Sequence, residues 1–428
     1  MDRERLEPDA HAWTGTEGRS APDPVPGWRN RGALHSAYFL GMTGIGFCLP
    51  YLPLYLKEEK GFSDRGIALV WVLAAVAGLV QFPVGLWSDR VGVRKPFLVV
   101  ALAVLAVATA LLPAAGPTGA GGAVLIGLLV VLFAENGPCR ATVESMAGAE
   151  ATRLAPPGGV GAALGALRLW RPVAVVLTAL VGGAVVEERG IGWLLGPLAV
   201  VQALAVGAAL LIREGGRKLE PTVEVPARRA DARRNDPVLW AFVAAMVLFH
   251  VANAPPGAYL GLFLKNDLGA PARDLSYAFV VSMIAWTACV RPVGRLADRI
   301  GRKPLLVAGW AVMALRLVLL ALAREGWQVL AIQVLDGLAQ GLFAVAAAAW
   351  VTDRLGGARR AGEAQVLVGS ALVVGSAVGP ALAGLVVTDL GYRGTFGLLA
   401  GVGCIATLVV ALAVPREVHC GGRHGEGA

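Results

Sequence analysis

The segment GRLADRIGRKP (Gly294 to Pro304) has a near copy earlier in the chain, GLWSDRVGVRKP (Gly85 to Pro96). Their aspartates, Asp298 and Asp89, are 298 − 89 = 209 residues apart, about half of a chain of 428. Each copy follows an apolar run long enough to cross a bilayer and precedes another. A duplicated cationic turn between membrane-length apolar runs makes the chain two similar halves set in lipid. The likeness continues outside the turns: PYLPLYLK (Pro50 to Lys57) returns as AYLGLFLK (Ala258 to Lys265).

Composition agrees with lipid as the main solvent. Hydrophobic residues make up 56% of the chain and charged residues 16%, against about 25% charged in average soluble domains. Too few polar side chains exist to cover so apolar an interior. The net charge of +8 sits in short turns and forms no aromatic-interleaved basic face, so it does not point to nucleic acid. The five cysteines include no CxxC pair and read as small apolar residues, neither disulfides nor metal ligands.

A helix needs roughly 20 apolar residues to span a bilayer. Apolar runs predict twelve such helices, near 33–56, 65–87, 96–114, 122–147, 160–186, 191–212, 238–264, 275–295, 304–323, 327–351, 363–388 and 392–414. The expected organisation is a disordered cytoplasmic tail (1–31), a six-helix half (32–212), a cytoplasmic linker (213–237), a second six-helix half (238–414) and a cytoplasmic tail (415–428). Connections 90–95, 153, 213–234, 295–303 and 354–360 hold eighteen Lys and Arg, while 57–65, 189, 265–273, 324 and 393 hold eight. The positive-inside rule then places both termini in the cytoplasm of a plasma-membrane protein.

These residues resemble the major facilitator superfamily, whose signature is a G-x-L-a-D-R-x-G-R-[KR] turn between helices two and three, repeated between eight and nine. Gly294 to Lys303 fits closely, and Gly85 to Lys95 fits with a longer spacing after Gly92. The resemblance runs from about 33 to 414 and implies an all-α membrane protein of twelve helices in two six-helix halves. It also implies a gating role for Gly85, Asp89, Arg90, Gly294, Asp298, Arg299 and Arg302. Each aspartate would face a helix N-terminus of the other half, where the dipole favours an anion, and so latch the cytoplasmic side shut. Gly85 and Gly294 would allow close helix packing there.

A charge at mid-bilayer costs about 2.5–3.5 kcal/mol on insertion scales, so such residues are functional candidates. Helix four carries Glu135, Arg140 and Glu144; helix five, Arg168 and Arg171; helix nine, Arg316; helix ten, Asp336. Arg140 and Glu144 stand at i, i+4, where they can pair. Three acids and four bases are nearly balanced, as an interior network would be. The arrangement is similar to the sugar and nucleoside proton symporter branch, the lactose permease-like one. There a helix-four glutamate and a helix-five arginine hold the substrate, which maps onto Glu144 and Arg168. That branch also has a helix-nine arginine followed twenty residues later by a helix-ten histidine; here the places are held by Arg316 and Asp336 (336 − 316 = 20). Val281 and Ala339 stand where that branch has coupling glutamates, which leaves Asp336 and Glu135 as candidate proton carriers. Asn253 joins the substrate-binding set, beside His250 and the Pro255-Pro256 pair, a helix-breaking element matched by Pro50 and Pro53 in helix one.

The expectation is a secondary transporter of a small polar organic solute, coupled to protons, working as a monomer without cofactor. A drug or metabolite exporter of the same fold is the alternative. HExxH, GxSxG and phosphate-binding motifs are absent from the sequence, which argues against an enzyme, and no repeated filter suggests a channel. A non-transporting membrane receptor is the remote alternative.

Overall fold

The structure is a computed structural model that describes residues 27–91, 93–116, 119–132, 137–154, 160–213, 236–355 and 361–415. Within these residues it is helical throughout and contains no strand. The amino-terminal half comprises α1 (Gly27–Cys48), α2 (Leu52–Glu58), α3 (Asp64–Ala77), α4 (Gln81–Val91), α5 (Lys95–Leu111), α6 (Gly119–Leu132), α7 (Pro138–Arg153), α8 (Val160–Arg168), α9 (Trp170–Arg189) and α10 (Leu195–Leu210). The other half comprises α11 (Pro237–Asn253), α12 (Pro255–Leu262), α13 (Ala272–Ile300), α14 (Arg302–Leu322), α15 (Gly326–Leu355) and α16 (Ala361–Ala413).

The sixteen pieces build the twelve predicted crossings. Prolines cause two of the breaks. The stretch containing Pro50 and Pro53 bends α1 against α2 by 46°, and Pro255-Pro256 divides α11 from α12, which runs on as a π-turn at Phe263–Asp267. The last two crossings are one continuous run, α16, broken at Gly391, whose φ of 66° only glycine adopts without strain. The fourth crossing is α6 plus α7, with 133–136 between them outside the described residues. Helix begins at Gly27, so residues 27–31 extend the first crossing where a disordered tail was expected. The rest of that tail, positions 214–235 of the linker and 416–428 lie outside the described residues.

Packing repeats between the halves. On α1, a Cβ at Gly46 would lie 2.7 Å from the Val175 carbonyl of α9. On α16, a Cβ at Gly375 would lie 2.6 Å from the Val247 carbonyl of α11, and one at Gly379 would lie 2.4 Å from that of Val251. The first crossing of each half therefore lies backbone-close on the fifth. Without a hydrophobic force between helices in lipid, such close approach carries much of the association. Phe242, Phe249, Trp310 and Phe343 fill the second half's core, and the Trp310 indole donates to the Ala245 carbonyl at 3.1 Å. Leu69, Val100, Leu204, Leu322 and Leu385 stay exposed and form the lipid-facing belt.

The duplicated turns hold each half together in matching ways. Arg94 donates to the Ala149 carbonyl at 3.5 Å, near the end of α7, and Arg302 to the Ala349 carbonyl at 3.0 Å, near the end of α15. Arg302 also pairs with Asp353. Cations near helix C-termini oppose the dipole. Gly301 makes its turn with φ of 81°. Close packing at Gly85 and Gly294, in contrast, is not formed: a Cβ at either would meet nothing within 4 Å. The side chains of Asp89, Arg90 and Asp298 are outside those described, and Arg299 is exposed.

Asp236 caps α11 through the Val238 amide at 3.0 Å and takes two bonds from Arg354, at 2.6 and 3.1 Å. The Arg354 bonds hold its carboxyl below the usual carboxylate range. A lowered folded value means that the pair's contribution is present above the unfolded value of about 3.9 and is lost as pH falls through the folded one. Asp236→Asn keeps a cap acceptor but loses the pair. Its deficit in melting temperature at neutral pH is expected to shrink below about pH 4; a pH-independent deficit in detergent melts would rule out the ion pair as its source.

Candidate substrate-binding site

A cavity of about 500 Å³ lies between the halves. Its wall carries two clusters of charge facing each other from opposite halves. In the second half, Arg316 of α14 is 3% exposed and pairs with Asp336 of α15 at 2.9 Å. The same guanidinium donates to Asn253 Oδ1 at 3.0 Å and to Gln333 Oε1 at 3.1 Å. Ser282 of α13 donates to the other carboxylate oxygen of Asp336. Both oxygens of the carboxylate are therefore held. Arg316 and Asp336, singled out separately from sequence as a substrate-binding and a proton-coupling candidate, are thus brought together.

In the first half, Glu144 of α7 accepts from Tyr38 of α1 at 2.6 Å. Arg168, at the end of α8, and Arg171 of α9 stand 3.9 and 3.8 Å from its oxygens. Glu144 and Arg168, the two substrate-binding candidates of this half, are thus brought to one wall of the cavity. The i, i+4 neighbour Arg140 instead sends a bond to the Leu132 carbonyl. Trp71, Phe279, Trp286 and Phe343 supply apolar wall between the clusters. His250 also lines the cavity, with its ring edge-on to Phe343 at 4.8 Å and to Phe249 at 5.3 Å. Glu135 falls within 133–136, outside the described residues.

Tyr38, Ser282, Gln333 and Gln340 were not singled out from sequence. Gln333, Asp336 and Gln340 follow i, i+3, i+7 spacing and form one polar stripe on an otherwise apolar helix, a signal that helical periodicity carries. Nothing in sequence marks Tyr38 or Ser282, because their roles arise from helix crossings.

Gly337 makes the second crossing. A Cβ there would lie 2.2 Å from the Ser282 carbonyl and 2.5 Å from the Trp286 amide nitrogen. Gly337 lets α15 lie against α13 so that Asp336 reaches Ser282. Overpacking costs about 1–3 kcal/mol where side chains can yield, and here backbone stands in the way. Gly337→Val is expected to lose at least that much. Gly369→Val, where a Cβ would meet nothing within 4 Å, should leave the melting temperature unchanged; equal melts for the two variants would refute the contact.

The cavity is sealed at one end. Tyr51 of the first half meets Ser276 of the second. Lys57 binds Asp64 at 2.7 Å and donates to Tyr392 at 2.8 Å, and Tyr259 donates to the Asp64 carbonyl at 3.1 Å. Lys265 reaches Glu58 at 2.7 Å, and Arg273 stands 3.7 Å from Glu187. All of these but Lys57–Asp64, which lies within the first half, join the two halves at the end away from the duplicated turns. The cavity wall reaches toward the turns through Arg168, Ala348 and Val368.

Residues 32–398 match the model of the MFS_1 like family. An uncharacterized MFS-type transporter of Mycobacterium tuberculosis (strain ATCC 25618 / H37Rv) is 29% identical over 398 residues, covering 88% of this chain and 90% of that protein. Multidrug resistance protein MdtL of Escherichia coli (strain SMS-3-5 / SECEC) is 32% identical over 156 residues, 36% of this chain and 39% of that protein. Among solved structures, the nucleoside transporter NupG superposes with a TM-score of 0.76 at 15% identity, covering 91% of this chain and 100% of NupG. A bacterial homolog of the human lysosomal transporter Spinster, in an inward-facing and occupied conformation, gives 0.70 at 16% identity, covering 90% and 96%.

Proposed function

Because the chain belongs to the MFS_1 like family, and is thus a multi-pass membrane transporter of the major facilitator kind and not an enzyme, we propose that it moves a small polar organic solute by alternating access, driven by proton symport. The observation that carries this reading is the pair of charge clusters on opposite walls of one cavity between the halves. A solute bridging Glu144, Arg168 and Arg171 on one side and Arg316 and Asn253 on the other has a reason to draw the halves together. Asp336 is the proton carrier in this scheme. Its protonation would release Arg316 to the solute, because a neutral carboxyl no longer holds a guanidinium as an ion pair.

The seal at Tyr51–Ser276 and Lys57–Tyr392 supports a state open toward the duplicated turns. The eighteen-to-eight distribution of Lys and Arg puts that side in the cytoplasm of the plasma membrane, with both termini inside. In the opposite state the halves would close at the turns, bringing Asp89 and Asp298 to helix N-termini of the other half and Gly85 and Gly294 into contact. One chain holds both halves, so a monomer suffices.

A thermal-shift screen of polar solutes on the purified protein identifies the cargo, since a ligand stabilises by its concentration over its dissociation constant. Proteoliposomes loaded with and without a pH gradient then test coupling: inward accumulation following the gradient is expected. Accumulation indifferent to the gradient would overturn proton symport. The 32% identity to MdtL over 156 residues favours a second reading, export by exchange with protons. Uptake into inverted vesicles acidified inside would establish it in place of symport.

A further inference from the structure

A second hollow, of about 210 Å³, opens on the outer face of the first half, between α1, α9 and α10. Phe47, Leu177, Val181, Pro197 and Val201 line it, and its wall is almost wholly apolar. Leu177 and Val181 are exposed, so the hollow faces the bilayer. Gly182 belongs to its wall, and a Cβ there would lie 3.0 Å from Tyr51 Cε2. The hollow is therefore level with the seal, in the leaflet away from the duplicated turns. A void forfeits the contacts its lining atoms would otherwise make, and the solvent on this side is hydrocarbon.

The groups above the hollow are of a different kind. α9 ends at Arg189, and a 3-10 turn, Ile191–Leu194, leads into α10. Leu194 lines the hollow, and its neighbour Trp193 is 62% exposed. The Arg189 guanidinium lies over the Trp193 ring, 5.5 Å from its centroid, and is itself exposed. It has no carboxylate partner among the described residues: Glu187 faces Arg273, and Glu59 lies against Gly192 without pairing with it. An exposed tryptophan and a cation are what a helix end presents at headgroup level.

We propose that this is a phospholipid site. One acyl chain lies in the hollow between α1, α9 and α10, and the phosphate sits on Arg189 beside Trp193. Guanidinium takes phosphate oxygens in a fork of parallel bonds. The occupant is a lipid of the surrounding bilayer. The site lies apart from the solute cavity and stands independently of the symport reading.

Native mass spectrometry of the purified full chain tests it, read as the apparent dissociation constant of the first bound lipid. The probes are dioleoyl phosphatidylglycerol and dioleoylglycerol, which has the same chains and no phosphate. One cation beside an anionic lipid is worth about fivefold in affinity, so the phospholipid should be held tighter by that factor. Arg189→Gln should remove the difference. Arg324→Gln, which removes an exposed cation of the second half, should keep it. Val201→Trp and Val181→Trp each put a ring into the hollow and should weaken both lipids; each is scored in protein that elutes as a single folded species. Equal binding of the two lipids by the unaltered chain, a phosphate preference that survives Arg189→Gln or vanishes equally in Arg324→Gln, or undiminished binding in a folded hollow-filling variant would each overturn the assignment.

Discussion

Asp336→Asn is expected to abolish pH-driven accumulation of the solute and to lower the melting temperature. Both effects come from one geometry. Arg316 is almost fully buried, and Asp336 at 2.9 Å is its charged partner among the described residues. Removing one member of a buried pair typically costs about 3–5 kcal/mol, because the other charge is left uncompensated. The cavity reaches Asp336 and softens that penalty, so the lower end is expected. Stability and coupling separate in the double variant Arg316→Gln with Asp336→Asn. It removes both charges and should recover most of the lost melting temperature while staying uncoupled. A single variant that still accumulates solute up a pH gradient would remove Asp336 from the proton pathway. A double variant as unstable as the single would show that the loss came from Ser282 or packing and not from the orphaned guanidinium.

The second large effect concerns the seal. A Cβ at Gly183 on α9 would lie 3.3 Å from the Ser276 Cβ on α13, close to the roughly 3.5–4.5 Å that a disulfide requires. In a background with the native cysteines replaced, Gly183→Cys with Ser276→Cys should crosslink on mild oxidation. The bond would fasten the halves at the end away from the duplicated turns. Transport should then fall to the level of empty liposomes and return on reduction, while solute binding persists, since the cavity is reached from the other side. Full transport by the oxidised, crosslinked protein would mean that these helices do not part during the cycle, and the alternating-access reading would fail at this seal.

Much of the candidate site was readable from residue type and spacing. Arg316 and Asp336 stood out because charge in an apolar helix is costly unless it is used, while their pairing came from the crossing of α14 and α15. Glu144 and Arg168 stood out for the same reason. Tyr38 and Ser282 did not, because a tyrosine or serine in a membrane helix costs little and gives no signal. Arg302 shows what motif position leaves open. Its position in a repeated motif suggested a gate, whereas in this conformation it ties α14 to the end of α15 within one half. Motif position does not tell which neighbour a long side chain will choose.

The break of the last two crossings at Gly391 and the bends beside Pro50 and Pro255 were likewise local matters, settled by what glycine and proline permit. The amino-acid sequence alone determined a duplicated, lipid-embedded bundle of twelve helices, with its breaks, its charge bias and its buried ionisable residues, because apolar run length and the cost of buried charge act residue by residue. Only the tertiary structure decided which helix faces turn inward. It set Arg168 and Arg171 beside Glu144, closed the end marked by Tyr51 and Ser276, and left Gly85 and Gly294 without close neighbours among the described residues. Those outcomes depend on where backbones approach closely, at Gly46, Gly337 and Gly375. Such an approach is a property of two helices at once, which no single stretch of chain encodes.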